Sequence, residues 1–411
     1  MLEIDDDLAD GYRSYNIASE RTQGAFMRLL PRAIRSHMRF FAHEFRYNVV
    51  REIFANDHLF NDEVERSIRF PKTLMSFVTN ICNARCTFCQ YDKHIGKKQV
   101  LDFDAFKKSI DEFVGQGSTR LCMTPNNGDP LVDKGLFEKI EYARNNGIDH
   151  IFFSTNGILL NRGDIAEKII DGPDMLRISM PGLDPETYQR VYGVDKAKEL
   201  EEGLVKLAEA KKRKGGNISI HLDLRIDQPV EEVMNAPGMR RIQPYIDDGT
   251  LLMSPPINEM FDWSGSVQDD DLTGTMFFQK IVVPKKQLPC NRAVSEMNAA
   301  VLPNGGVRVC DCGRGLSNEG PLVIGNIMDT PLTEIISGDR HRNLLRKWME
   351  GDVPEECRSC AIYQPNSYSW KRVAFMAFRL IATPSWWKKK FARRHIHRIE
   401  ENGKLGEPSD V

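Results

Sequence analysis

Between residues 70 and 260 the chain alternates short apolar runs with longer amphipathic segments. The runs are "LMSFVT" (74–79), "RLCMT" (120–124), "HIFFS" (150–154), "MLRISM" (175–180), "ISIHLDLRI" (218–226) and "TLLMS" (250–254). Each has the length of a strand. The stretches between them, such as "FDAFKKSIDEFVGQG", "KGLFEKIEYARNNG", "RGDIAEKIIDG" and "AKELEEGLVKLAEAKKRKGG", read as helices, and several close on Gly or Asn-Gly as helix C-termini do. Alternation of this length predicts an α/β fold of parallel strands joined by crossover helices. Six such units make a curved sheet or partial (β/α)6 barrel, whose chemistry belongs at the C-terminal ends of the strands.

The pattern changes on both sides of this block. Residues 1–70 read as a helical N-terminal extension containing the basic, aromatic "RLLPRAIRSHMRFFAHEFRYNVVREIF" (28–54), and residues 71–285 form the core. Residues 286–365 are Gly- and Pro-rich and hold five of the nine cysteines. Residues 366–411 form a C-terminal tail with a second basic, aromatic run, "FMAFRLIATPSWWKKKFARRHIHRI".

Composition narrows the setting. At 411 residues and 41% hydrophobic content the chain can bury a sizeable core. No apolar run reaches eighteen residues, and the acidic "MLEIDDDLAD" lacks the apolar stretch of a secretory signal. The expectation is a cytoplasmic protein with reduced cysteines, where clustered thiols bind metal or do redox chemistry more often than they pair. The net charge of −2 averages over the two basic segments. Aromatics beside cations, as in Trp386, Trp387 and Lys388–Lys390, suit peripheral contact with anionic lipid headgroups, and equally suit a solvated helix face packed on the core. No RNA-binding motif is present, so no nucleic-acid partner is expected.

The chemistry concentrates in "TNICNARCTFCQYDK" (79–93), directly after the first apolar run. Cys82, Cys86 and Cys89 offer three thiolates with no fourth cysteine before Cys122. Three thiolates suit a cubane iron–sulfur cluster with one iron left open to substrate or cofactor; a zinc-stapled loop, completed by His94, is the alternative. The C-x3-C-x2-C spacing with Phe88 before the third cysteine resembles the radical S-adenosylmethionine (SAM) superfamily. The resemblance implies that the open iron chelates the amino and carboxyl groups of SAM, whose reductive cleavage gives a hydrogen-abstracting 5′-deoxyadenosyl radical. It implies also an external one-electron reductant such as flavodoxin or ferredoxin. Asn127-Gly128-Asp129-Pro130 resembles the family's Gly-Gly-Glu-Pro stretch, which meets the SAM amino group. Asn replaces the first Gly and the shorter Asp replaces Glu. "STNG" (154–157) and "SMPG" (179–182) resemble further strand-end positions. Ser179 is then a candidate for the SAM carboxylate or ribose, Arg225 for the carboxylate, and Phe88 for the adenine; each also reads as structural.

Cys290, Cys310, Cys357 and Cys360, with a hairpin at Asn304-Gly305-Gly306 and "GNI" at 325–327, resemble the SPASM or twitch-type auxiliary-cluster domain. Four cysteines imply one fully ligated second 4Fe-4S cluster, with zinc as the alternative. Cys312 is surplus: it either replaces Cys310 as ligand or stays a free thiol. Relatives that epimerise a carbon return a hydrogen atom from a cysteine, and Cys312 and Cys122 are the candidates for that role. Cys122, on an apolar strand, reads otherwise as a small buried hydrophobe. The combined reading is a radical SAM oxidoreductase or epimerase acting on a hydroxyl-bearing carbon of a small, carbohydrate-like molecule, with a lipid-linked or nucleotide-linked sugar the attractive substrate if the membrane reading holds. The alternatives are a peptide- or protein-modifying maturase and a zinc-stapled binding protein.

Overall fold

The computed structural model describes residues 49–50, 52, 57–93, 97–278, 289–290, 293, 298–310, 320–358, 360, 363 and 370–382. In chain order the elements are α1 (Asp57–Ser67), β1 (Thr73–Ser76), α2 (Phe103–Gly115), β2 (Arg120–Cys122), α3 (Leu136–Asn145), β3 (His150–Thr155), α4 (Ile165–Asp171), β4 (Met175–Met180), α5 (Pro185–Tyr192) and α6 (Ala197–Lys214). They continue with β5 (Ser219–Leu224), α7 (Val230–Asn235), α8 (Pro237–Asp247), β6 (Leu252–Met253), β7 (Glu259–Met260), β8 (Phe277–Phe278), β9 (Asn298–Val301), β10 (Gly306–Arg308) and β11 (Val323–Asn326). The last are α9 (Leu332–Ser337), α10 (Asp339–Met349), α11 (Glu355–Arg358) and α12 (Trp370–Ile381).

All six apolar runs become strands. β1 to β6 lie side by side, parallel and in chain order, as the crossover pattern requires. The helices between them start and stop where local chemistry dictates. The Asp102 carboxylate caps α2 by accepting from the Asp104 and Ala105 N–H groups, and α5 starts with Asp184 as cap and Pro185 as its first residue. α5 and α6 end on Gly193 and Gly215, both left-handed. α2 buries Phe106, Ile110 and Phe113 completely, each worth about 1.5–3 kcal/mol.

The sheet does not stop at β1. β9 pairs parallel with the outer side of β1, and β10 and β11 add antiparallel strands, giving the order β11-β10-β9-β1-β2-β3-β4-β5-β6 among the described residues. The Asn304–Gly306 turn forms the expected hairpin: Gly305 has φ +83°, and the Leu302 N–H donates to the Gly306 carbonyl at 2.8 Å. The Cys-rich region therefore shares its sheet with the core. The chain divides into two compact units, residues 68–365 and residues 1–67 with 366–411. In the second unit α1 meets α12, with Arg379 paired to Asp62 at 2.7 Å.

The two faces of the sheet differ. Ile151, Phe153, Leu176, Ile178, Ile220 and Leu222 are fully buried on the helix-covered face; a Cβ on Gly157 would touch both Leu200 of α6 and Ile178. His150, Phe152 and Ser154 of β3 and Met175, Arg177 and Ser179 of β4 alternate with them, half-exposed on the inner face of the barrel. At the β1–β9 side the inner face is filled by Met75, Phe77, Ala300, Leu302 and Val323. Over β3 to β5 it stays open and polar.

His341 of α10 gives a pH test of the fold. It is fully buried, its Nδ1 hydrogen-bonds the Ile336 carbonyl at 2.8 Å, and its Nε2 has no partner. Burial lowers its pKa, so below about pH 6.5 the unfolded chain takes up the proton that the folded one resists. Stability contributed by the neutral imidazole is present above that pH and declines on acidification, by at most about 1.4 kcal/mol per pH unit. Denaturant melts between pH 7 and pH 5 should fall more steeply for the native chain than for His341→Leu; parallel profiles would refute this.

Candidate active site

The three-cysteine loop leaves the end of β1 and is fixed by backbone bonds on several sides. Thr79 Oγ1 donates to the Gln99 carbonyl at 2.9 Å and accepts from the Ile81 N–H, while Asn80 bonds the 97–99 segment through both ends of its amide. The Arg85 and Thr87 N–H groups donate to the Tyr192 and Val191 carbonyls, each at 2.9 Å, docking the loop on the end of α5. Gly193 is required there: its φ is +67° and a Cβ would stand 2.6 Å from the Arg85 carbonyl oxygen. The Trp263 indole N–H reaches the Phe88 carbonyl at 2.8 Å, and Lys93 pairs with Asp271, so the segment between β7 and β8 holds the loop from the other side. Trp263 and Ser264 both have positive φ, a cost tolerated where surrounding contacts over-determine the backbone.

The thiols share a poorly solvated space. Burial, then the Asp129 charge, push Cys82 up to about 12; burial pushes Cys89 up to about 11; burial, then the neighbouring Cys89 and Cys82, raise Cys86 well above its ordinary value. Three such thiolates need a compensating cation. Among the described residues no three His, Cys, Asp or Glu side chains are gathered tightly enough for a single metal ion.

Asn127-Gly128-Asp129-Pro130 lies against this loop. Gly128 has φ +133°, and a Cβ there would stand 2.7 Å from the Thr79 carbonyl oxygen, so only glycine lets the motif approach. Asn127 is 2% exposed, yet neither its Nδ2 nor its Oδ1 has a partner. An orphaned buried amide beside a thiolate loop fits a polar cofactor such as SAM. Asp129 behaves differently. Its buried carboxylate accepts from Thr155 Oγ1 at 2.8 Å, the Asn156 N–H at 2.7 Å and the Leu131 N–H at 3.0 Å, the last capping the short turn that Pro130 begins. The side chain is committed to positioning "STNG". Asn156, which no spacing argument singled out, then bonds Asn83 Oδ1 at 2.7 Å and lies 3.7 Å from Cys82 Sγ.

Tyr192 joins three further candidates. Its hydroxyl shares a 2.8 Å hydrogen bond with Ser179 Oγ, its ring meets Phe88 edge-on with centroids 5.7 Å apart, and Arg225 is near enough to act on it electrostatically. Phe88, Ser179 and Arg225 thus gather at the strand ends beside the cysteine loop. Cys122 does not. It is buried on β2 in register with Phe152 and, through Phe152, with Met175, four residues or about 13 Å below Ser179.

The second cysteine group lies at the opposite end of the strands. Cys310 follows β10 by two residues in the direction of Asn298, where β9 begins, and Cys290 precedes β9. Burial and then the charges of Cys310, Cys360 and Cys290 raise Cys357 strongly, so those three lie within electrostatic reach of it. Cys312 and His94 lie outside the described residues.

A model of the radical SAM superfamily matches residues 76–235, and one of the SPASM iron–sulfur cluster-binding domain matches residues 290–361. A GTP 3′,8-cyclase of Tolumonas auensis is 34% identical over 131 residues, 31% of this chain and 38% of that protein. One of Alkaliphilus oremlandii is 35% identical over 130 residues, 30% of this chain and 39% of that protein. The chain spans well under half the length of these curated relatives. Among solved structures, BtrN in complex with AdoMet and 2-DOIA is similar over 71% of this chain and 93% of that one, with 14% identity and a TM-score of 0.45.

Replacing Cys82, Cys86 and Cys89 together by Ala should leave about half of the bound iron and sulfide, held by the remaining four cysteines. Zinc without residual sulfide in that variant would overturn the second cluster.

Proposed function

We propose that this chain, a radical SAM enzyme with a SPASM-type auxiliary domain, oxidises a hydroxyl-bearing carbon of a small, carbohydrate-like molecule. The observation that carries the reading is the open polar inner face of β3 to β5, which runs between the two cysteine groups. Ser154, Arg177 and His221 lie in register across three strands, with Ser179 and Asp223 in the next row towards the three-cysteine loop. Such a face offers many hydrogen bonds and little apolar surface, which suits a hydroxylated molecule better than a greasy one.

When bound, the SAM cluster supplies a hydrogen-abstracting radical and a fully ligated second cluster an electron acceptor. The protein's own part is placement. Asn127 and the backbone of Gly128 offer polar groups to SAM, Arg225 matches its carboxylate, and Ser179 with Tyr192 offers hydroxyls beside the Phe88 ring. Asp129 and Asn156 keep the loop and the end of β3 in register. The depth of Cys122 sets it away from the strand ends, so an epimerisation would draw its hydrogen atom from Cys312. The cyclase activity of the partial relatives is a separate possibility for the same radical generator, because fold and clusters do not choose the reaction.

Reduced enzyme with SAM should release 5′-deoxyadenosine when given the small-molecule fraction of the source cells, and the consumed compound should gain a carbonyl. Stimulation only by the peptide and protein fraction would overturn the reading in favour of a maturase.

Peripheral membrane contact belongs to the same proposal. No described helix is long and apolar enough to cross a membrane. α12 buries Val373 and Met376 but leaves Phe375, Phe378 and Ile381 exposed, Phe378 at 70%, and the basic Trp-Trp-Lys-Lys-Lys run follows it in sequence. The intact protein should co-sediment with anionic liposomes and lose this on removal of residues 383–411; an intact protein that stays in solution would end the membrane reading.

A further inference from the structure

The inner face of β4 and β5 carries an ion pair that SAM binding at the strand ends leaves unused. Arg177 Nε and Nη2 donate to the two carboxylate oxygens of Asp223 at 2.7 and 2.9 Å. The exposures are unequal: the Asp223 side chain is 5% exposed and that of Arg177 is 41%. The carboxylate fixes the guanidinium through Nε and Nη2, while Nη1 takes no part in this pair and the Arg177 side chain stays 41% exposed. A surface ion pair would show both partners; this one shows only its cation.

His221 stands beside it. It pairs in register with Arg177 on the neighbouring strand, is half-exposed on the same face, and forms no hydrogen bond within the protein. Neighbouring strands are about 4.8 Å apart, so Arg177 and His221 can donate to different oxygens of one tetrahedral anion. A carboxylate, with two oxygens in one plane, would satisfy the Arg fork and leave the imidazole idle. Arg225, higher on the same face and beside Tyr192, is taken up by the SAM carboxylate in the reading above. Asp223 is the single carboxylate that this stretch of β3 to β5 presents among the described residues, and it is already engaged. What this row offers an anion is therefore the unused edge of the Arg177 guanidinium together with the His221 imidazole.

We propose that Arg177, held by Asp223 and flanked by His221, seats a phosphate group of the small-molecule substrate. The phosphorylated end then lies on this row, and the hydroxylated carbon points towards the row of Ser179, about 7 Å nearer the three-cysteine loop. The inference rests on the reading of a small hydroxylated substrate and narrows it to a sugar phosphate or a nucleotide-linked sugar.

Isothermal titration calorimetry on the anaerobically reconstituted holoenzyme with SAM present tests this, using glucose, glucose 1-phosphate and uridine diphosphate glucose as probes. At least one phosphorylated probe should bind and glucose should not. Tighter binding of glucose 1-phosphate marks a phosphate monoester, and tighter binding of the diphosphate probe marks a nucleotide-linked substrate. Arg177→Gln should weaken the bound probe by about tenfold or more, since a charge-assisted contact is lost. Asp223→Asn, which keeps the guanidinium but loosens it, should weaken binding less. His221→Gln removes only a partnerless side chain and should weaken it several-fold, which keeps the test open if Arg177→Gln fails to fold. Binding of glucose as tight as of both phosphorylated probes, or phosphate affinity unchanged in folded Arg177→Gln or in His221→Gln, would overturn the proposal. Small-molecule-dependent 5′-deoxyadenosine release would survive that result, so the two readings fail separately.

Discussion

A carboxylate deep in a protein must be surrounded by donors, and the candidate active site is organised around one that is. Asp129 takes hydrogen bonds from a side-chain hydroxyl and two backbone N–H groups, drawn from the end of β3 and from its own turn. Hydrogen bonds to a charged group are worth about 1.5–3 kcal/mol each, and leaving the charge without them would cost more. The Asp129 N–H in turn donates to the Ile81 carbonyl, at 2.9 Å, which ties the same residue to the cysteine loop. The ends of β1, β2 and β3 are thereby locked relative to one another, and Asn156 is delivered to Cys82. A glutamate at this position would carry one more methylene and could not serve the same donors without moving β3. The shorter acid is thus a local solution, in which the carboxylate works on the scaffold while the buried Asn127 amide beside it keeps its polar atoms without a partner in the protein.

Much of this was legible in the order of residues. The six apolar runs became the six parallel strands because each is short, bounded by turn residues and separated by a helix-length segment, so local pattern and crossover geometry pointed the same way. The Asn-Gly-Gly hairpin was readable because a two-stranded turn has few chemical solutions. What could not be read depends on distant pairing. Nothing local in "NAAV" says that β9 will lie beside β1, and nothing in "YQRVYG" says that Tyr192 will collect Ser179 and Phe88. Trp263 and Asn156 were equally silent, since their importance lies in the atoms they reach, not in their spacing. The Arg177–Asp223 pair could have been suspected from two charged residues interrupting apolar strands, a pattern that usually marks a polar interior.

The pairing of β9 with β1 also sets two cysteine groups that are far apart in sequence at opposite ends of one sheet. The first group follows the C-terminal end of β1, while Cys290 and Cys310 flank the β9–β10 hairpin at the other end of the same strands. Whatever occupies the inner face between them is within reach of both ends of the barrel. Met75, Phe77, Ala300, Leu302 and Val323 fill the inner face on the β1–β9 side, and the polar residues of that face lie over β3 to β5.

That arrangement has a consequence for how the protein is made. Until residues 298–301 have left the ribosome, β1 has one bare edge, with its N–H and C=O groups available to any other extended chain. The three-cysteine loop leaves the end of the same strand, so the nascent core is unfinished as a sheet just where its thiols are gathered. Synthesis of the core without the Cys-rich region would freeze the protein in that condition, and insoluble aggregates are the natural fate of such a fragment.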